Sequence, residues 1–150
     1  MIVSRRQATD GDRELARSIH HRAYRNVIER QYGVWDVAAQ DQFFDAAWCA
    51  TNHEIVLCDE ACCGYCCVDN RSDDILIREL VIDPEYQCLG IGTRILQDVL
   101  NESNARGVPV RLQTQILNRA AGLYRRLGFR ETKRTETHIL MERHPAEHAA

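Results

Sequence analysis

The sequence has 150 residues and a mass of 17.3 kDa, near the commonest domain size, which predicts one domain over residues 1–150. Hydrophobic residues make up 45% of the chain and charged residues 27%, which is too apolar for a disordered protein. The net charge of −3 disfavours a protein that mainly binds nucleic acid or an anionic membrane, because both partners require a surplus of basic residues.

The sequence predicts neither a membrane span nor a signal peptide. No stretch approaches the roughly 18 apolar residues that a membrane span requires, and the polar run Ser4-Arg5-Arg6 comes too early for a signal peptide. We therefore expect a cytoplasmic protein in a reducing compartment, where the seven cysteines do not form a disulfide framework. Residues 144–150 are expected to form a polar, flexible tail.

Hydrophobic periodicity predicts strands and helices in alternation along the chain. The predicted strands cover residues 2–8, 55–58, 62–68, 75–82, 110–116, 129–134 and 137–142. The predicted helices cover residues 11–30, 36–50, 91–105 and 119–127. The first helix carries an apolar stripe of Leu15, Ile19, Ala23 and Val27. The order β-α-α-β-β-β-α-β-α-β-β predicts an α/β (or α+β) fold with a mixed sheet.

The segment from Ile82 to Thr93 has the features of an anion cradle. A buried strand ends there, and Gly90 and Gly92 fall in the first turn of a long amphipathic helix. Backbone N–H groups at a helix N-terminus point outward, and glycine lets a phosphate approach the backbone closely. No Lys-Ser/Thr pair follows the glycines, so the segment is not a Walker A loop. Ile95 stands where a dinucleotide fingerprint has its third glycine, so the segment is not that motif either. A tight strand-to-helix turn that merely needs two glycines is the alternative.

A second segment lies on the next strand–helix unit. It runs from Asn118 to Phe129 and reads N-R-A-A-G-L-Y-R-R-L-G-F, while the loop at residues 87–92 reads Q-C-L-G-I-G. Together they resemble the GNAT superfamily of acetyl-CoA-dependent N-acetyltransferases, with its Q/R-x-x-G-x-G/A and N-x-A-x-x-L-Y-x-x-x-G-F patterns. The resemblance implies a mixed, largely antiparallel central sheet, flanked by about four helices and splayed between the fourth and fifth strands.

The resemblance also implies acetyl-CoA as co-substrate and no metal. Amides of the loop would hold the pyrophosphate, the strand before the loop would bind the pantetheine arm, and Asn118 would contact that arm or the adjacent backbone. The implied cofactor-binding residues are Leu80, Val81, Ile82, Gln87, Cys88, Leu89, Gly90, Ile91, Gly92, Thr93, Asn118 and Tyr124.

Two residues depart from the family pattern near the phosphates. Cys88 stands where most relatives have glycine, and Arg119 replaces the common proline after Asn118. The phosphate contacts expected here are therefore backbone amides and the Thr93 hydroxyl rather than loop arginines. Arg119 is expected either near the phosphates or in solvent.

The resemblance places Tyr124 near the thioester sulfur as the acid that protonates the departing thiolate; a role as a core aromatic is the alternative. Glu79 is the candidate general base, because a carboxylate in an otherwise apolar strand is costly unless it is paired or functional. Arg78 is expected on the opposite face of that strand, and a structural partner for Glu79 is the alternative to a base. Gln113 stands where some relatives carry a second glutamate and cannot accept a proton.

These features predict an N-acetyltransferase that moves an acetyl group from acetyl-CoA to a primary amine by direct attack in a ternary complex. The acceptor is either a small-molecule amine or a protein amino group, and the family is compatible with a homodimer. A non-catalytic acyl-CoA-binding or sensor domain of the same fold is the alternative. A metal site at the cysteines between Cys62 and Cys67 is disfavoured, because alternate residues of a strand point to opposite faces.

Overall fold

A computed structural model of the protein describes residues 1–146, and residues 147–150 of the predicted tail lie outside the described residues. The strands are β1 (Val3–Gln7), β2 (His53–Cys58), β3 (Ala61–Asn70), β4 (Ile75–Ile82), β5 (Val110–Gln115), β6 (Arg130–Arg134) and β7 (His138–Arg143). The helices are α1 (Arg13–Tyr32), α2 (Val37–Ala47), α3 (Ile91–Arg106) and α4 (Ala120–Arg126). Short 3-10 turns lie at Asp10–Asp12 and Pro84–Tyr86. The predicted order of elements is confirmed.

The seven strands form one sheet in the order β1-β2-β3-β4-β5-β7-β6. Every neighbouring pair is antiparallel except β4 and β5, which are parallel. That parallel pairing covers only residues 75–77 of β4 and 110–112 of β5. The two strands separate beyond this point, which confirms the mixed, largely antiparallel sheet and its predicted splay between the fourth and fifth strands.

Helices cover both faces of the sheet. On one face α1 and α2 pack through Ile19 and Phe44 onto Tyr65 and Val81. On the other face α3 packs onto the sheet, and its Ile95 lies against the thiols of β3. The cysteines of β3 therefore act mainly as small core residues, as predicted. No helix among the described residues combines the length and the apolar character that a membrane crossing needs.

An ion pair fixes α1 over the end of β4. The buried carboxylate of Asp83 accepts a hydrogen bond from the Arg22 guanidinium at 2.6 Å and another from the Glu85 backbone N–H at 3.2 Å. Asp83 thereby joins α1 to the loop that leads into α3. The first helix is held where β4 and β5 diverge.

Two details of the predicted helices are wrong. Leu15 is 47% exposed, because α1 meets the sheet through Ala16 and Ile19 and Leu15 projects away from that face. The second helix ends at Ala47 rather than near residue 50, since the backbone of Trp48 is extended with φ −70° and ψ 127°.

We predict that Gly64→Ala destabilises the protein. Gly64 lies opposite Ile82 in the β3–β4 ladder, and a Cβ there would meet the Val81 carbonyl oxygen at 2.2 Å. The backbone has to move, so the free energy of unfolding should fall by about 1–3 kcal/mol in urea denaturation. In the control Gly122→Ala the added Cβ lies 3.6 Å from the Arg126 guanidinium and should not destabilise. Equal stability of Gly64→Ala and the wild type would contradict the close approach of β3 and β4 at Gly64.

Candidate functional site

A bulge in β4 marks the point where the sheet opens. Cys67 of β3 lies opposite Glu79, and Val68 lies opposite Ile77, so Arg78 is an extra residue in β4. The pairing of β4 with β5 stops at Ile77, immediately before the extra residue. Because a bulge bends its strand, β4 leaves β5 here and its remaining residues lack a second neighbouring strand.

The bulge also corrects the prediction that Arg78 and Glu79 point to opposite faces. Both residues line one cavity beside the opening, and their side chains bond to Asp69 and His53, which lie on the same face of the sheet. The irregular backbone breaks the alternation on which the prediction depended. Arg78 is ion-paired with Asp69 of β3. Glu79 is the acidic residue of β4 that lines this cavity.

Two cavities lie on either side of α1. One has a volume of about 480 Å³ and includes the N-terminus of α3; we call it the cradle cavity. The other has a volume of about 610 Å³ and includes Glu79; we call it the side cavity. One face of α1 lines the side cavity with His20, Tyr24, Ile28 and Tyr32. The adjacent face lines the cradle cavity with Ala23, Asn26, Val27 and Arg30.

The two cavities meet in the gap between β4 and β5. Four residues line both of them: Tyr24, Leu80, Asn118 and Tyr124. Molecules bound in the two cavities would therefore contact the same four side chains. The gap is the place where two such molecules would approach each other.

The cradle is open to a ligand at its glycines. Gly90 caps α3 with a left-handed backbone (φ 83°), and a Cβ placed there would have no neighbour within 4 Å. A Cβ on Gly92 would meet only the Ile82 side chain, at 3.9 Å. The N–H groups of the first turn have no intrahelical acceptors, because α3 begins at Ile91. Open space and free donors together suit an anionic, phosphate-like group.

The backbone of Cys88 has a conformation that favours glycine. Its φ is +63°, in the left-handed region that glycine adopts without cost. A residue with a Cβ tolerates this conformation at a cost of roughly 1–2 kcal/mol. The loop of this protein therefore keeps the geometry of the cradle with a cysteine in the strained position.

Most of the predicted cofactor-binding residues line the cradle cavity, and Leu89, which is largely exposed, does not. Gln87 and Asn118 use their side chains to hold the backbone. The Gln87 amide nitrogen donates to the Ile82 carbonyl at 2.9 Å, and the Asn118 amide oxygen accepts from the Ala120 N–H at 2.9 Å. Gln87 therefore shapes the loop between β4 and α3, and Asn118 shapes the start of α4.

Three guanidinium groups border the cradle cavity: Arg30, Arg119 and Arg126. None of them makes an ion pair with another residue between 1 and 146. Their charge favours a ligand that carries several negative charges. Sequence reasoning missed Arg30, since it lies on α1, far from the loop in the chain, and no local pattern marks it.

Tyr124 faces the junction of the two cavities from α4. Its side chain is 7% exposed and packs edge-to-face on Phe129, with ring centroids 5.7 Å apart. Burial raises the pKa of Tyr124 to about 12, so the phenol is neutral at physiological pH. In the described part of the chain its hydroxyl makes no hydrogen bond to another residue. A neutral proton donor is thus held at the point where the cavities meet.

A buried histidine holds Glu79. The Glu79 carboxylate lies 2.6 Å from Nε2 of His53, which is 1% exposed and comes from β2. Nδ1 of His53 lies 2.9 Å from the Cys49 carbonyl oxygen and 3.2 Å from the Cys49 N–H. The Trp48 ring lies against the imidazole, with centroids 4.6 Å apart. Sequence reasoning missed His53, because 26 residues separate it from Glu79 and no motif connects them.

The environment of His53 favours its charged form. Burial lowers the pKa of the imidazole, but the hydrogen bond and charge of Glu79, with the bond to Cys49, outweigh burial and raise it above its usual value. The backbone of Cys49 offers Nδ1 both an acceptor and a donor. Nε2 can therefore donate to Glu79 in either protonation state of the ring.

Residues 44–131, more than half of the chain, match the family model of the acetyltransferase (GNAT) domain. The chain belongs to the GNAT acetyltransferase family. Many solved structures share this GNAT fold. No curated protein sequence matches the chain at a significant level.

Three similar structures illustrate the shared GNAT fold. The PaiA N-acetyltransferase from Thermoplasma acidophilum in complex with coenzyme A is 15% identical, covers 96% of this chain and 99% of its own, and has a TM-score of 0.75. An acetyltransferase from Thermus thermophilus is 16% identical, covers 96% and 97%, and has a TM-score of 0.71. The ribosomal-protein-S18-alanine N-acetyltransferase from Escherichia coli is 20% identical, covers 99% of both chains and has a TM-score of 0.67.

We predict that Glu79→Gln lowers the pKa of His53. The substitution removes the carboxylate that favours the imidazolium, so burial then dominates. The pKa is measured from the imidazole C–H signals in an NMR titration, with His53→Gln to assign the signal. An unchanged pKa in Glu79→Gln would show that the two groups do not interact.

The same pair sets a pH dependence of stability. A raised folded-state pKa of His53 stabilises the fold most below the unfolded value of about 6.5, and this contribution is lost as the pH rises through the folded-state pKa. The stability advantage of the wild type over Glu79→Gln should therefore shrink between acidic and alkaline pH. Denaturation series between about pH 5.5 and pH 9.5 measure it.

Proposed function

We propose that this protein is an N-acetyltransferase that transfers the acetyl group of acetyl-CoA directly to a primary amine, with both substrates bound at once. The observation that carries the proposal is the junction of two cavities in the gap between β4 and β5, with Tyr124 at the junction. One cavity has the features of a phosphate cradle, and the other contains a carboxylate. Two substrates bound there would meet without a covalent enzyme intermediate.

The cradle cavity is assigned to acetyl-CoA. The open glycines, the free N–H groups of α3 and the three arginines suit a pyrophosphate, and residues 80–82 offer an unpaired strand edge to the amide groups of pantetheine. The family match and the coenzyme A complex of the PaiA enzyme support the same assignment. Bound there, acetyl-CoA supplies an activated thioester carbonyl. The reaction requires no metal.

Glu79 is assigned as the general base. It lines the side cavity and is held by His53. An amine arrives as an ammonium ion, and its proton passes to the Glu79 carboxylate directly or through water, which frees the nitrogen lone pair. That lone pair attacks the acetyl carbonyl carbon, the new C–N bond forms, and the C–S bond breaks.

Tyr124 is assigned as the general acid. The C–S bond leaves its electron pair on sulfur as a thiolate, and the neutral phenol donates its proton there. The new amide nitrogen loses its second proton to the resulting Tyr124 phenolate, and Glu79 releases its proton to solvent, so both groups are restored. A phenol with a pKa of about 12 is a weak acid. The thiolate forms in the same buried gap, where burial raises the proton affinity of a thiol as well.

A non-catalytic acyl-CoA-binding domain is the competing function. Gln113 lines the side cavity and offers no second carboxylate, in keeping with the sequence. The carboxylate–imidazole pair and the free Tyr124 hydroxyl favour catalysis, because acyl-CoA binding alone requires neither of them.

We predict that Tyr124→Phe lowers kcat by about 100-fold or more, since the leaving thiolate loses its proton donor. The assay follows release of free thiol from acetyl-CoA with a panel of primary amines. Calorimetric titration should give an unchanged affinity for acetyl-CoA, because only the hydroxyl is removed.

Tyr65→Phe is the matched control. Tyr65 is fully buried, and among residues 1–146 its hydroxyl has no hydrogen-bond partner. The Tyr65→Phe variant should keep the kcat of the wild type. A Tyr124→Phe variant with unchanged turnover would remove Tyr124 from the chemistry. Acetyl-CoA binding without acetylation of any amine would favour the competing binding function.

A further inference from the structure

The side cavity has apolar side chains on three of the elements that line it. Its walls include Ile77 and Leu112 from the sheet, Ile28 and Tyr32 from α1, and Phe43 from α2. Apolar side chains of this kind gain free energy when they cover an apolar ligand surface. The body of an acceptor in this cavity should therefore be apolar or aromatic.

Two side chains at the rim of the side cavity are also apolar. Val34 and Phe43 are 67% and 65% exposed, and both line the cavity. They lie in the turn between α1 and α2 and on α2 itself. An acceptor that extends to the mouth would cover these two side chains.

The charges in the cavity favour a single cation at its inner end. Glu79 lies near the junction, whereas the Asp36 carboxylate already accepts a hydrogen bond from the Ala39 N–H at 3.1 Å, where it caps α2. Within the described chain, Arg78 is the only arginine or lysine in the lining, and its guanidinium is ion-paired with Asp69. Burial lowers the pKa of His20 and keeps that ring neutral. Among the described residues, the lining therefore offers a ligand carboxylate no unpaired arginine or lysine.

Hydrogen bonds join the end of α1 to neighbouring segments beside the cavity. The Gln31 amide nitrogen donates to the Thr137 carbonyl at 2.7 Å, and its oxygen accepts from the Leu117 N–H at 3.4 Å. The Tyr32 hydroxyl donates to Gln115 at 3.4 Å. These bonds link α1 to the segments after β5 and before β7. An extended polypeptide would have to break them to cross the cavity on this side.

We propose that the acceptor is a small primary amine on an apolar or aromatic body without a carboxylate, with its ammonium at Glu79 and its body towards Val34 and Phe43. This inference rests on the proposed acetyl transfer and names its acceptor class. Amino acids fit poorly because their carboxylate lacks a partner. Polyamines fit poorly because Asp36, the other carboxylate in the lining, already caps α2. Polypeptides fit poorly because hydrogen bonds join α1 to the segments beside the cavity.

A matched set of amines tests the proposal. 2-Phenylethylamine and phenylalanine differ by one carboxylate, and phenylalaninamide replaces that carboxylate with a neutral amide. We expect kcat/KM for 2-phenylethylamine to exceed that for phenylalanine by about 100-fold or more, since an unpaired buried carboxylate is strongly disfavoured. Phenylalaninamide should recover most of the loss. Spermidine and a short peptide with a free N-terminus should be poor acceptors.

Variants of the rim connect the preference to the cavity. Phe43→Ser should raise KM for 2-phenylethylamine about fivefold with little change in kcat, because an apolar contact is lost far from the reacting atoms. Val37→Ser is the control: Val37 lies on the same helix and is 57% exposed, outside the cavity. Its KM should be that of the wild type.

The outcomes separate this inference from the proposed function. Equal or better acetylation of phenylalanine, spermidine or the peptide would overturn the acceptor class and leave acetyl transfer standing. Equal effects of Phe43→Ser and Val37→Ser on KM would contradict the assignment of the side cavity to the acceptor. Absence of acetylation of every amine, with acetyl-CoA binding intact by calorimetry, would overturn the proposed function and the acceptor class together.

Discussion

The whole site depends on the loss of strand pairing in the second half of β4. The bulge at Arg78 bends the strand, pairing with β5 ends at Ile77, and the backbone of residues 80–82 keeps a free edge inside the protein. Backbone polar groups in a protein interior need partners. A ligand that carries amide groups completes the sheet there, which in the proposed function is the pantetheine arm.

Helix α1 turns this gap into a site for two substrates. Its ion pair from Arg22 to Asp83 keeps it over the opening, and its two adjacent faces border the two cavities. The charged side chains are also divided between the two cavities. Unpaired guanidinium groups border the cradle cavity, and the carboxylate of Glu79 lies in the side cavity. In the proposed function, this arrangement separates the polyanionic acetyl-CoA from the cationic amine before the two meet at Tyr124.

Local pattern in the sequence predicted the order of elements and the glycine loop, and the resemblance to the GNAT superfamily implied the splay and a site at Tyr124. The sequence could not reveal His53, because the contact with Glu79 depends on how β2, β3 and β4 align. The shared direction of Arg78 and Glu79 depends on a one-residue bulge that no periodicity marks. Arg30 joins the cradle only because α1 crosses the sheet above it.

Residue-resolved amide hydrogen exchange of β4, with and without acetyl-CoA, tests the central claim most directly. Those amides of residues 78–82 that are not bonded to β3 should exchange several-fold more slowly when acetyl-CoA is bound. A tryptophan at Gly92 would fill the cradle and abolish this protection, whereas Gln97→Trp, at an exposed position of α3, should retain it. Unchanged exchange of β4 at saturating acetyl-CoA would contradict the proposal that the gap between β4 and β5 holds the ligand.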